Sequence, residues 1–167
     1  MPGPQFGLPE AGRDWPDRPS VFGIARRGGR IALVEIGDRS EQTWLALPGG
    51  GIEPGEDEVV ALVREFAEET GLVVSPTGRL GESSDRVVIN AGRAFNVRGR
   101  FFTVRVEREA PELLTEPDHR LVWTTPLEAI RSLHRESHAW AVAQWLRGLQ
   151  GAGGHSRRSP GAGRRVT

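Results

Sequence analysis

Gly49-Gly50-Gly51-Ile52-Glu53-Pro54-Gly55-Glu56, followed after seven intervening residues by Arg64-Glu65-Phe66-Ala67-Glu68-Glu69-Thr70-Gly71-Leu72, is a glycine-rich loop running into an acidic helix. Within Asp57–Thr70 the apolar residues Val59, Leu62, Val63 and Phe66 recur at helical spacing and define one buried face. Gly71 stands where a helix ends in a left-handed residue. On the opposite face Glu65, Glu68 and Glu69 fall at i, i+3 and i+4, so three carboxylates crowd together. Like charges at that spacing cost an isolated helix ~0.2–0.5 kcal/mol per pair, and Arg64, four residues before Glu68, relieves part of this. A solvated acidic face is the common explanation for such a pattern. The loop favours another: the glycines of Gly49, Gly50 and Gly51 let a backbone approach an anion, and amides near a helix start attract phosphate. Phosphate and cation positions side by side suit Mg²⁺, a hard ion held by carboxylates, phosphate oxygens and water, with Mn²⁺ as the substitute.

Outward from this stretch, Ser20–Arg26 and Arg30–Ile36 are apolar runs joined by Arg27-Gly28-Gly29, the composition of a hairpin. Trp44–Leu47, Val87–Ile89, Ala94–Val97, Phe101–Glu107 and Leu121–Thr124 are expected as further strands, and Pro126–Leu133 and Ser137–Arg147 as helices. Strands on both sides of a helix imply mixed α/β layers around one sheet. Residues 1–19, with five prolines, are expected to be an arm, 20–148 the globular domain, and the Gly- and Arg-rich 149–167 a disordered tail.

Composition narrows the chemistry. The 167 residues include no cysteine, which excludes disulfides, thiolate metal sites and cysteine nucleophiles. There is no lysine, so no Gly-Lys-Ser/Thr phosphate loop exists. Net charge is zero, but four arginines lie in residues 151–167, leaving 18 basic against 22 acidic residues elsewhere. No aromatic residue interleaves with those four, so no specific nucleic-acid partner is expected. No apolar run approaches the ~20 residues that cross a bilayer and no secretory leader opens the chain, which predicts a cytoplasmic protein without membrane attachment. His119, His134, His138 and His155 share no ligand spacing, and none is assigned to metal.

Gly50, Glu56, Arg64, Glu65, Phe66, Glu68, Glu69, Gly71 and Leu72 fill every specified place of the Nudix signature, so residues 50–72 resemble the box of that family. Phe66 stands where the family more often has an aliphatic residue, and is expected to be a larger core anchor. The two preceding strands, Leu47-Pro48-Gly49-Gly50 and the late Trp123-Thr124-Thr125-Pro126-Leu127 extend the likeness over roughly residues 20–147. The resemblance implies an α/β/α sandwich around a mixed β-sheet. It also implies Mg²⁺-dependent cleavage of a phosphoanhydride in a nucleoside diphosphate linked to another group: a nucleoside triphosphate, nucleotide sugar or ADP-ribose type. Glu65 and Glu69 are its first-choice metal ligands, and Glu68 shares the metal directly or through water. Arg64 holds a carboxylate in place, and Glu56 supports the platform from the loop. The general base comes from the box or a later loop, where Glu116 is the candidate beside Glu112 and Asp118. The alternative function is a silent nucleotide sensor, and the assembly considered is a homodimer. Phe95, Phe101 and Phe102 are aromatic enough to stack a base but alternate as core residues do.

Overall fold

The computed structural model describes residues 2–37, 42–89 and 92–153. Eight strands and three helices follow one another as β1 (Gln5–Phe6), β2 (Asp17–Arg27), β3 (Arg30–Gly37), β4 (Thr43–Ala46), β5 (Gly49–Gly51), α1 (Glu58–Thr70), β6 (Leu72–Ile89), β7 (Arg93–Glu109), β8 (His119–Thr124), α2 (Pro126–Ser132) and α3 (Glu136–Gly153). The strands form one mixed sheet in the order β1-β6-β7-β2-β3-β4, with β5 also paired to β2 and β8 to β3. β2 lies parallel to β7 from Asp17↔Asn96 to Ala25↔Val104, while β6 and β7 form an antiparallel hairpin.

Period-two alternation divides the core between the faces of this sheet. Phe22, Ile24, Ile31, Leu33 and Phe101 meet Ala129, Ala141, Val142 and Trp145 of α2 and α3. Val21, Ala25, Ala32, Phe102 and Val104 meet Ala61, Leu62 and Phe66 of α1. The result is the expected α/β/α sandwich around a mixed sheet. Phe66 is fully buried, and a Cβ on Gly23 would lie 2.6 Å from its ring, so the large side chain fits because the facing strand position is empty.

The elements depart from expectation in four places, the first being that Ala94–Val97 and Phe101–Glu107, expected as two strands, are one strand, β7. The strand predicted at Val87–Ile89 is the end of an 18-residue strand beginning at Leu72. Ser75-Pro76-Thr77-Gly78 hides that length, because proline and glycine ordinarily interrupt strands; here they sit at register shifts between Pro76/Gly78 and Arg79/Gly81. The N-terminal arm contributes Gln5↔Ser84 and Phe6↔Asp85 pairs to the sheet edge, and β2 already starts at Asp17. At the other end α3 continues to Gly153, past the boundary expected at 148. A helix anchored by Trp145 propagates at low cost over Leu149, Gln150 and Ala152. The rest of the tail, 154–167, including His155, lies outside the described residues. No described helix is long and apolar enough to cross a membrane.

Candidate functional site

α1 delivers the acidic face because both its ends are fixed. Asp57 caps its start, its carboxylate accepting from the Val59 and Val60 N–H groups at 2.8 and 3.4 Å. Those amides therefore have a partner, and the phosphate position expected at the helix start is filled by the cap. Gly71 closes the helix with φ 67°, its N–H reaching the Ala67 carbonyl. The carboxylates then lie in the last two turns, beside β5 and the loop before β8.

Arg64 organises this face more thoroughly than an i,i+4 pair. Its Nε and Nη2 grip Glu56 at 2.8 and 3.0 Å, its Nη1 reaches Glu65 and Glu68 at 2.9 and 3.1 Å, and Nη2 also donates to the Gly51 carbonyl at 3.1 Å. Glu56 in addition accepts from the Glu53 N–H at 2.9 Å. The fork of Arg64 and that amide hold the Glu56 carboxyl down at about 2, and Arg64 itself is raised.

Glu69 lies outside this fork. It is 7% exposed, accepts from the Gly49 N–H at 2.9 Å, and meets His119 Nε2 at 3.3 Å. The glycine amide expected to cradle phosphate is thus, at Gly49, already donated to a carboxylate, while Gly49–Gly51 pair with Ser20–Phe22 of β2. Gly50 serves by its size: a Cβ there would lie 2.7 Å from the Glu65 carboxylate. Burial raises the carboxyls of both Glu65 and Glu69, which Arg64 and His119 respectively oppose.

Glu116 is brought to the same end of α1. The Thr115 and Glu116 N–H groups both donate to the Glu68 carbonyl, at 3.0 and 3.3 Å. Ligand atoms of Glu116, Asp118 and His119 lie within 4.8 Å of one another. His119 Nδ1 also meets Asp118 at 2.8 Å, and with Glu69 on the other nitrogen its pKa is raised to about 9. Sequence reading missed His119, since it has no ligand spacing with another histidine; its partner Glu69 is fifty residues earlier and only the β8–α1 packing joins them. Of the other described histidines, His138 is buried in the core with Nδ1 accepting from the Leu47 N–H at 3.1 Å, and burial lowers its pKa. Phe101 and Phe102 are core residues, and Phe95 packs against the same core.

The donor set fits a hard divalent cation. It is all carboxylate oxygen with one imidazole, burial raises the pKa of the half-buried Glu65 and the buried Glu69, and Gly50 leaves the space beside Glu65 clear. Beside it opens a cleft of about 1150 Å³ whose wall includes Trp44, Asp85, Glu116, His119 and Arg135. Glu65, Glu68, Glu69, Arg64, Glu56 and Glu116 are therefore gathered into one place, although they come from a loop, a helix and a distant connection.

Comparison with known proteins agrees with this layout. The NUDIX domain model matches residues 16–147. An RNA pyrophosphohydrolase of Sphingopyxis alaskensis is 43% identical over 49 residues, covering 29% of this chain and 30% of that protein. An ADP-ribose pyrophosphatase of Methanocaldococcus jannaschii is 39% identical over 69 residues, 40% of this chain and 41% of that one. The chain thus spans less than half the length of these two relatives. A CTP pyrophosphohydrolase of Escherichia coli is 32% identical over 112 residues, 66% of this chain and 78% of the relative. Among solved structures, a NUDIX hydrolase from Nitrosomonas europaea superposes with a TM-score of 0.68 at 22% identity, over 79% of this chain and 90% of that one. A MutT protein from Methanosarcina mazei gives 0.67 at 20%, over 83% and 99%. Because the match runs from β2 into α3, through the sheet and both helical layers as well as the loop and helix of the site, this chain belongs to the Nudix family.

Proposed function

We propose that this chain is a divalent-cation-dependent hydrolase that cleaves a phosphoanhydride bond in a nucleoside diphosphate linked to another group. The observation that carries this reading is the set of Glu65, Glu68 and Glu69 fixed by Arg64, Gly49 and His119, the last of which, with Glu116, lines a cleft large enough for a nucleotide. Mg²⁺ or Mn²⁺, held by Glu65 and Glu69 with Glu68 sharing, would screen the phosphate charge and lower the pKa of a bound water. Arg64 orients Glu65 and Glu68 through its Nη1, and Glu56 and the Gly51 carbonyl fix Arg64 in turn. Glu116 accepts the proton of the attacking water, its loop being tied to Glu68 by two backbone hydrogen bonds. Water adds to one phosphorus, the bridging oxygen leaves with its bonding pair, and two phosphate products result.

The related proteins are named as pyrophosphohydrolases or a pyrophosphatase of RNA, CTP and ADP-ribose, names that fit the nucleotide phosphoanhydride class proposed here. A silent sensor has no need of the complete carboxylate set with its supporting arginine. The test is a panel of nucleoside triphosphates, nucleotide sugars, ADP-ribose and 5′-triphosphorylated RNA, incubated with Mg²⁺ and separated by chromatography. Cleavage of at least one, abolished by chelator and by Glu69→Gln in a protein that still folds, is the expected result. No cleavage of any, or cleavage indifferent to chelator, would refute the reading.

A further inference from the structure

The cleft holds a cation that has no ion-pair partner among the described residues. Arg135, at the turn between α2 and α3, lines it on the same wall as Asp85 and His134. Its guanidinium forms no ion pair and donates no hydrogen bond among the described residues. The acid nearest in electrostatic effect, Asp85, is buried and already accepts from Ser137 Oγ at 2.6 Å. Burial pushes the Arg135 pKa down, and Arg18 adds to this, while Asp85 and Glu69 only oppose it. A charge kept in a wall without a partner is costly, and the cost is recovered when an anion arrives. Glu69 acts electrostatically on this guanidinium, and Glu116 and His119 beside Glu69 line the same cleft as Arg135.

The residue before it completes the wall. The His134 ring lies 5.7 Å from that of Trp44 at 31°, and its backbone N–H donates to the Leu45 carbonyl at 3.0 Å. A bridge between Leu45 and Leu133 fixes the same contact. The indole is nevertheless 40% exposed and borders the cleft, although Leu47, three residues on, is 1% exposed. A rigid ring pair with an open face, next to a guanidinium that has no ion-pair partner among the described residues, is complementary to a planar base joined to phosphate.

We propose that Arg135 and the Trp44–His134 ring pair form the recognition subsite of this cleft, Arg135 taking a phosphate of a nucleotide and the rings taking its base. This rests on the nucleotide reading above, but not on turnover.

The test measures equilibrium binding to the full chain by calorimetry in the presence of Mg²⁺, with two probes: inorganic pyrophosphate and a methylene-bridged nucleoside diphosphate that is not hydrolysed. Arg135→Met is expected to weaken both by about tenfold to a hundredfold, the range of a lost charge-assisted hydrogen bond, with Arg135→Lys recovering part of it. Trp44→Leu is expected to weaken the nucleotide analogue by about tenfold and to leave pyrophosphate within about twofold. The melting temperature of Arg135→Met should equal or exceed that of wild type, because no ion pair is lost. Wild-type affinity in Arg135→Met, equal losses for both probes in Trp44→Leu, absence of binding to either probe in wild type, or a markedly lower melting temperature in Arg135→Met would each overturn the proposal, the last by assigning the guanidinium to the fold. A chain that shows the expected pattern without cleaving anything would refute the hydrolase and keep the subsite; one that cleaves without the pattern would do the reverse.

Discussion

Arg64 is the residue on which the acidic face depends, because a planar fork serves Glu56, Glu65, Glu68 and the Gly51 carbonyl at once. Lysine keeps the charge but offers one ammonium in place of two edges, so it cannot hold these partners together. Arg64→Lys is therefore expected to lower kcat by about tenfold or more, the equivalent of losing one charge-assisted hydrogen bond, with circular dichroism unchanged. Activity within twofold of wild type would contradict the central place given to the fork. Glu56 gives a pH signature of the same contact. Its folded pKa is depressed from 4.5 to about 2, so its stabilising contribution is present above pH 4.5 and lost as pH falls through about 2. The stability difference between wild type and Glu56→Gln in denaturant unfolding should thus be constant at neutral pH and shrink steadily between pH 4.5 and pH 2. A difference that does not change over that window would mean that Glu56 is not held by Arg64 in solution. At this scale the spacing of residues 50–72 made every box carboxylate legible, whereas Arg64 as a hub and His119 as the partner of Glu69 were not. Spacing along a helix reports which side chains share a face; it carries no information about a loop arriving from fifty residues away.

Among the elements, the β5–α1 junction couples structure to chemistry through glycines of two kinds. Gly50 is needed for what it leaves open: alanine there would put its Cβ 2.7 Å from the Glu65 carboxylate, the movable end of a long side chain. Gly50→Ala should accordingly displace Glu65 and cost most of the activity while changing the melting temperature little. A variant that loses both equally would show that the glycine serves the fold instead. Gly71 is needed for its backbone, at φ 67°, and a Cβ would also come 3.2 Å from Leu114 and from Pro111. Gly71→Ala is expected to destabilise by about 1–2 kcal/mol in denaturant unfolding, the cost of a left-handed non-glycine residue. An effect near zero would imply that the helix end readily adopts another cap. α1 and its glycine stop were legible because apolar period, cap and stop all agree. The β6 strand was not, because bulges at Pro76 and Gly81 let breaker residues lie inside a paired strand, a compensation supplied by β7.

For the whole molecule, the sandwich sets four segments distant in sequence around one cleft: the N-terminal arm with the end of β6, β4, the connection before β8, and the α2–α3 turn. The layers themselves were legible in the alternating strands and late helices, but the cleft wall of Trp44, His134 and Arg135 was not, since β4 and the α2–α3 turn meet only through tertiary contacts. If the carboxylates of α1 bind a cation that also touches substrate phosphate, folding, metal and ligand are linked, because whatever binds the folded state alone stabilises it by roughly 2.7 kcal/mol at a hundredfold excess over Kd. Mg²⁺ and a methylene-bridged nucleoside diphosphate together should then raise the melting temperature by more than the two separate shifts added; additive shifts would argue for separate sites. The most direct measurement is a calorimetric titration of Mg²⁺ into wild type and into Glu65→Gln/Glu69→Gln protein. Binding to wild type that is abolished in the double variant, with the fold retained, is the predicted result; undiminished Mg²⁺ binding by the double variant would contradict the assignment of the metal to this helix.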